Sequence, residues 1–250
     1  MREVSNQRSP GVSIEFLGLP GAGKSTIAHA LCECMQRRGV SVSEPTYALD
    51  HASGRRLRAV RKCGYVFAST IRFPRTALAC LRLVRQAGHR ELRETWRLTA
   101  NLLYIHELSC RGLARSQTRI LDQGIVQAFW SIDFAGSRPL ERDSAMRLLR
   151  AMVPVGTVVV LVLTSTDVVR SRLARRRVAA SRLERRMAAE GPEATLERAI
   201  AALRRSEELV ADLAREQRVS VIKVENAEAA GSASAVTALD AHLAASTAIS

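Results

Sequence analysis

Two rhythms of apolar and polar positions alternate along the chain. Val12 to Leu17 is an apolar run that predicts a strand, and it leads into the glycine-rich Gly18 to Gly23. Ile27, Leu31, Cys34 and Met35 then recur at helical spacing, with Gly39 placed to close that helix. Val40 to Ser43 predicts a second strand, stopped by Pro45. Residues 54–116 read as mainly helical, with breaks around Pro74 and Gly88. A third strand is expected to end over Arg119 to Asp122, and a helix is expected over 139–152, closed by Pro154 and Gly156. Thr157 to Leu163 is continuous and largely β-branched, the pattern of a strand covered on both faces. Residues 166–217 are helical and charged, Val219 to Val224 is a last strand, and 233–246 predicts a closing helix.

Strands that alternate with helices imply an α/β fold with a parallel sheet and right-handed crossovers. The expected organisation is a tail over 1–11 and one domain over 12–228 with helical insertions. An Ala/Ser-rich helix or tail follows over 229–250. No internal repeat and no linker divides the chain.

Composition narrows the function classes. The chain has 250 residues, 47% hydrophobic and 25% charged, which is enough to build a full core and excludes disorder as its main state. No stretch reaches the roughly 18 apolar residues of a membrane span, and the start, MREVSNQRSPG, lacks an apolar leader core. A cytoplasmic location with no membrane partner is therefore expected. Cys32, Cys34, Cys63, Cys80 and Cys110 are scattered and form no paired C-x-x-C, which argues against a disulfide framework or a zinc site. The net charge of +14 is concentrated: residues 52–97 hold twelve basic and two acidic side chains, and 167–187 hold eight arginines and two acids. Two basic islands favour local phosphate sites over a general polyanion surface. Aromatics make up only 4% and are not interleaved with the arginines, which disfavours nucleic acid as a partner.

The strongest chemical signal is Gly18-Leu-Pro-Gly-Ala-Gly-Lys24-Ser25, a full G-x-x-x-x-G-K-[ST] match between a predicted strand and a predicted helix. Its glycines let backbone N–H groups turn toward phosphate oxygens, and the helix start adds its positive end. Gly18, Pro20, Gly21, Ala22, Gly23, Lys24, Ser25 and Thr26 are the candidate nucleotide-binding residues. Lys24 suits the β- and γ-phosphates and the Ser25 hydroxyl suits Mg²⁺. Asp122, at the end of the third strand, is a second candidate Mg²⁺ ligand.

The loop, Glu44-Pro45 after the second strand, and Asp122-Gln-Gly after the third together resemble the thymidylate kinase and deoxynucleoside kinase group of P-loop kinases. Leu102 to Leu108 stands where that group has a similar helix, and the arginine-rich stretch after Val158–Leu163 resembles its lid, about 167–187. The resemblance covers about residues 12–226. It implies a five-stranded parallel sheet sandwiched by helices, ATP as phosphoryl donor, Mg²⁺ as cofactor and a small-molecule phosphate acceptor. It also makes Glu44 the general base on the acceptor hydroxyl and allows a homodimer. Lid arginines contact the transferring phosphate in that group; Arg172, Arg175, Arg176 and Arg177 stand in the matching stretch, with Arg172 and Arg176 favoured. Gln123 stands where the group usually carries arginine. An amide does not neutralise a phosphate, which leaves an unphosphorylated acceptor, or charge supplied by Arg55, Arg56, Arg58 or Arg72. Tyr47, Asn101, Gln127 and Trp130 are candidates for the pocket wall.

A different class remains open. In an NTPase switch, Gln123 would orient water and no acceptor would be needed; the chain lacks a guanine-reading N-K-x-D motif.

Overall fold

A computed structural model describes residues 11–47, 54–89, 91–113, 117–175, 182–226 and 231–247. The first half runs β1 (Ser13–Leu17), α1 (Lys24–Arg37), β2 (Val42–Ser43), α2 (Arg55–Arg72), α3 (Pro74–Gln86), α4 (Leu92–Leu113) and β3 (Thr118–Leu121). The second runs α5 (Ile125–Ala135), α6 (Arg142–Met152), β4 (Thr157–Leu163), α7 (Thr166–Ala174), α8 (Arg182–Glu190), α9 (Pro192–Arg215), β5 (Val219–Glu225) and α10 (Gly231–Thr247).

The five strands form one sheet in the order β2-β3-β1-β4-β5, and every neighbouring pair is parallel. β1 is central, with Ile14 opposite both Ile120 and Val158. Side chains alternate across it. Ile14 and Phe16 join the core under α1 and α10, and Leu17 joins the core built with α4, α5 and α9. All strands deliver their C-terminal ends to one edge, where the loops after β1 and β3 lie side by side. That edge is where parallel α/β sheets bind ligands.

The differences from the sequence expectation have local causes. Val40 does not enter β2. Its N–H donates to Met35 O at 3.0 Å and the Gly39 N–H to Gln36 O at 2.9 Å, so both residues close α1, with Gly39 at φ 78°. β3 runs from Thr118 to Leu121 and ends one residue before the expected Asp122, because pairing with β1 stops at Leu121 opposite Glu15. Asp122 thus lies in the turn after the strand. Helix α5 has no counterpart among the expected elements. Ten of its eleven residues are buried, so it is covered on all sides and carries no amphipathic rhythm to read. α10 extends two residues before and one after the expected 233–246, and its Ala235, Val236 and Leu239 pack against the α1 face of the sheet. The lid stretch contains α7 and α8. Among the described residues no helix is long and apolar enough to cross a membrane.

Candidate active site

Short-range sterics build the loop after β1. Gly21 and Gly23 have φ 88° and 92°, backbone angles that favour glycine. A Cβ on Gly18 would stand 2.8 Å from Val162 O, and one on Gly23 would stand 2.2 Å from Asn226 Nδ2. The loop is therefore pressed onto β4 and the end of β5. Side chains from distant elements hold it there. Asn226 Nδ2 donates to Ala22 O at 2.6 Å, and Thr164 Oγ1 donates to the same carbonyl at 3.3 Å. The Gly18 N–H donates to Gln127 Oε1 on α5 at 3.1 Å. Lys24 folds back over the loop and donates through Nζ to Gly18 O at 2.8 Å and Leu19 O at 3.0 Å.

The β1 and β3 loops meet at Asp122. Ser25 Oγ donates to Asp122 Oδ2 at 2.8 Å, and Thr46 Oγ1 donates to Oδ1 at 2.9 Å. A carboxylate and two hydroxyls beside a phosphate loop are hard oxygen donors of the kind Mg²⁺ selects. Beneath this turn lies Glu15 of β1, fully buried. Its Oε2 accepts from the Val126 N–H at 3.2 Å, at the start of α5. A Cβ on Gly124 would stand 2.4 Å from the Glu15 carboxyl, so only glycine lets the turn close over it.

In front of the loop opens a cavity of about 600 Å³. The loop forms one end. Lys62, Cys63 and Val66 of α2, Arg97, Asn101 and Tyr104 of α4, and Gln127 and Trp130 of α5 wall the rest. Its described lining carries three cations, Lys24, Lys62 and Arg97, and no carboxylate.

A family model described as AAA domain (AAA_33) matches residues 14–206. The chain belongs to that family. No curated protein matches this chain. As an AAA-domain protein of the P-loop, kinase-like type, it is a nucleotide-binding NTPase, and the all-parallel five-stranded sheet agrees with that assignment.

The AAA-domain fold brings some of the sequence-predicted residues together and leaves others apart. Pro20, Gly21, Gly23, Lys24, Ser25 and Thr26 wall the cavity, while Gly18 and Ala22 are buried behind it. Asp122 joins Ser25 behind that wall. Arg172 of α7 reaches the loop, with Nη1 at 3.4 Å from both Gly21 O and Ala22 O. Val169 and Leu173 pack α7 against Gly21, which places the arginine. Arg176 and Arg177 lie outside the described residues, as do the side chains of Arg55 and Arg56. Glu44 is 7% exposed and is not among the cavity-lining residues. Its Oε2 lies 3.0 Å from His29 Nδ1, and His29 Nε2 lies 3.5 Å from Glu33. Tyr47 stacks on the His29 ring, with centroids 4.1 Å apart, instead of lining the cavity. Asn101, Gln127 and Trp130 do line it, and so does Gln123.

Five residues escaped sequence reasoning: Glu15, Thr46, Lys62, Arg97 and Asn226. Glu15 carried a readable signal, a lone acid inside an apolar strand. Lys62 is one of only three lysines. Asn226 directly follows β5, as Asp122 follows β3. Arg97 belongs to the first basic island, which marks the stretch but not this residue, and Thr46 offers no pattern, because the tertiary fold alone brings both to the site.

Glu15 yields a pH prediction. Burial raises its carboxyl from 4.5 to about 7, against the opposing pull of the Val126 and Ile125 N–H groups. The folded state holds its proton more tightly than the unfolded chain does. Glu15 therefore favours folding fully below pH 4.5, and that contribution is lost as pH rises through about 7. The loss is about 3 kcal/mol at most. Denaturant titrations of the parent and of Glu15→Gln from pH 4.5 to 8 are expected to diverge in slope, with the variant gaining on the parent as pH rises. Parallel curves would show that Glu15 does not titrate in this window.

Proposed function

We propose that this protein is a Mg²⁺- and ATP-dependent phosphotransferase of the thymidylate kinase or deoxynucleoside kinase type. It would move the γ-phosphoryl group of ATP to a hydroxyl of a nucleoside, nucleotide or similar small acceptor. The observation that carries this reading is the cavity of about 600 Å³ that runs from the phosphate loop to a wall built by α2, α4 and α5. A nucleotide switch that spends its phosphate on water needs no such second compartment.

Lys24 and the loop N–H groups would hold the ATP phosphates, and Ser25 and Asp122 would hold Mg²⁺, which supplies charge neutralisation when bound. Arg172 is close enough to the loop to bind phosphate oxygens in a forked manner. In the transfer, the acceptor oxygen forms a bond to the γ-phosphorus while the bond to the β–γ bridging oxygen breaks, leaving ADP. Glu44 takes the hydroxyl proton. Its carboxylate rests on His29, so it must swing from that contact or pass the proton through water; such contacts commonly tighten only with substrate bound. Lys62 and Arg97 bring positive charge to the acceptor side, where Gln123 brings none. This supports an acceptor that carries an anionic group beside the hydroxyl that is phosphorylated.

The test is ADP release by the purified protein with Mg-ATP against ribonucleosides, deoxynucleosides, their monophosphates, and no acceptor. Release is expected to depend on acceptor, with the fastest acceptors carrying both a free sugar hydroxyl and an anionic group. Arg97→Ala is expected to raise the acceptor KM about tenfold, the scale of one lost charge-assisted contact. ADP release that no acceptor accelerates would favour the switch, with Gln123 on the attacking water.

A further inference from the structure

The face of α2 that points away from the cavity is apolar and open. Phe67 is 69% exposed, Val60 67%, Ile71 64% and Leu57 48%. Their spacing of three, seven and four residues puts them in one stripe along the helix. The opposite side is already used, since Tyr65 meets Tyr104 edge-on, Ser69 is fully buried, and Lys62 and Val66 line the cavity. An amphipathic helix with large side chains on its outer face is the reverse of what packing requires.

The charge carried by α2 and α3 is of one sign. No Asp or Glu occurs between Asp50 and Glu91. Arg61 and Arg72 are exposed on α2 beside the stripe. Arg75, Arg82 and Arg85 are exposed on α3, together with Leu78. Charge complementarity separates the candidate occupants. Two copies paired through this face would set like charges against each other. A nucleic acid would match the arginines but leave four aliphatic and aromatic side chains without apolar cover. An anionic lipid surface satisfies both, with the stripe in the acyl boundary and the arginines among the headgroups.

We propose that α2 lays Leu57, Val60, Phe67 and Ile71 onto an anionic bilayer, with Arg61 and Arg72 at the headgroups. This needs neither a spanning segment nor an apolar leader, the two features on which the expectation of no membrane partner rested. It is also independent of the reaction proposed above. The same helix walls the cavity, so docking would bring the acceptor compartment to the lipid surface.

The experiment is co-sedimentation of the full chain with vesicles of phosphatidylcholine alone and of phosphatidylcholine with about 30% phosphatidylserine, at low and high salt. Binding to the anionic vesicles is expected to be at least tenfold stronger and to weaken with salt. Phe67→Ser with Ile71→Ser is expected to lose at least tenfold of it with an unchanged melting temperature. Arg61→Ser with Arg72→Ser is expected to lose the preference for anionic lipid. Equal sedimentation with both vesicle types overturns the proposal, and so does its absence from both. A concentration-dependent dimer that the Phe67/Ile71 variant abolishes assigns the face to a second copy and overturns it as well. Duplex DNA binding without vesicle binding does the same.

Discussion

Lys24→Ala is expected to lower ATP turnover by about 10³-fold while leaving the protein folded. The ammonium is the only cation contributed by the phosphate loop itself, and it is held ready by Gly18 O at 2.8 Å and Leu19 O at 3.0 Å. On the function proposed above, those two carbonyls would orient it over the place where phosphate oxygens gather negative charge. A fixed charge at such a point is worth about 10²–10³ in rate for a single lost donor. The upper end applies here because Lys24 is nearly buried and poorly screened. Stability is expected to fall by about 1–2 kcal/mol, the cost of leaving the two carbonyls without this donor. Steady-state ADP release and a thermal melt separate the two effects. Near-normal turnover in a folded variant would remove the loop from the chemistry, and with it the kinase and the switch readings alike.

Glu44→Gln is expected to reduce kcat by about 10²-fold with ATP affinity unchanged, the scale of a lost general base. Glutamine keeps the shape and can still hydrogen-bond His29 Nδ1, so β2 stays attached to α1. Only the capacity to take a proton is lost. The acid limb of the pH–rate profile is expected to flatten in the variant, which a purely structural partner of His29 would not cause. Full turnover in Glu44→Gln would assign Glu44 to holding His29 and nothing more. ATP affinity measured in parallel keeps this result separate from damage to the phosphate loop.

Much of this molecule is legible without coordinates. The order of strands and helices, the β1–loop–α1 unit and the continuous β4 run follow from local pattern, because each depends on residues a few positions apart. Gly21 and Gly23 adopt the left-handed angles that a glycine-rich loop implies. Contacts across the sheet are not legible in that way. Ser25 and Asp122 are 97 positions apart in the chain and 2.8 Å apart in space. Asn226 reaches Ala22 across 204 positions. Helix α5 is invisible to periodicity because burial on all sides removes the polar face that would reveal it. Glu44 is readable as a carboxylate at a strand end, but its orientation toward His29 depends on how α1 packs beside β2. The sequence alone determined the phosphate loop, the parallel α/β class and the two basic islands, since these are properties of neighbours in the chain. Tertiary structure alone decided that Lys62 and Arg97 face the cavity, that Arg172 lies on the loop, and that the outer face of α2 is open. Each of these depends on which side of a helix turns toward the core, and packing chooses that side.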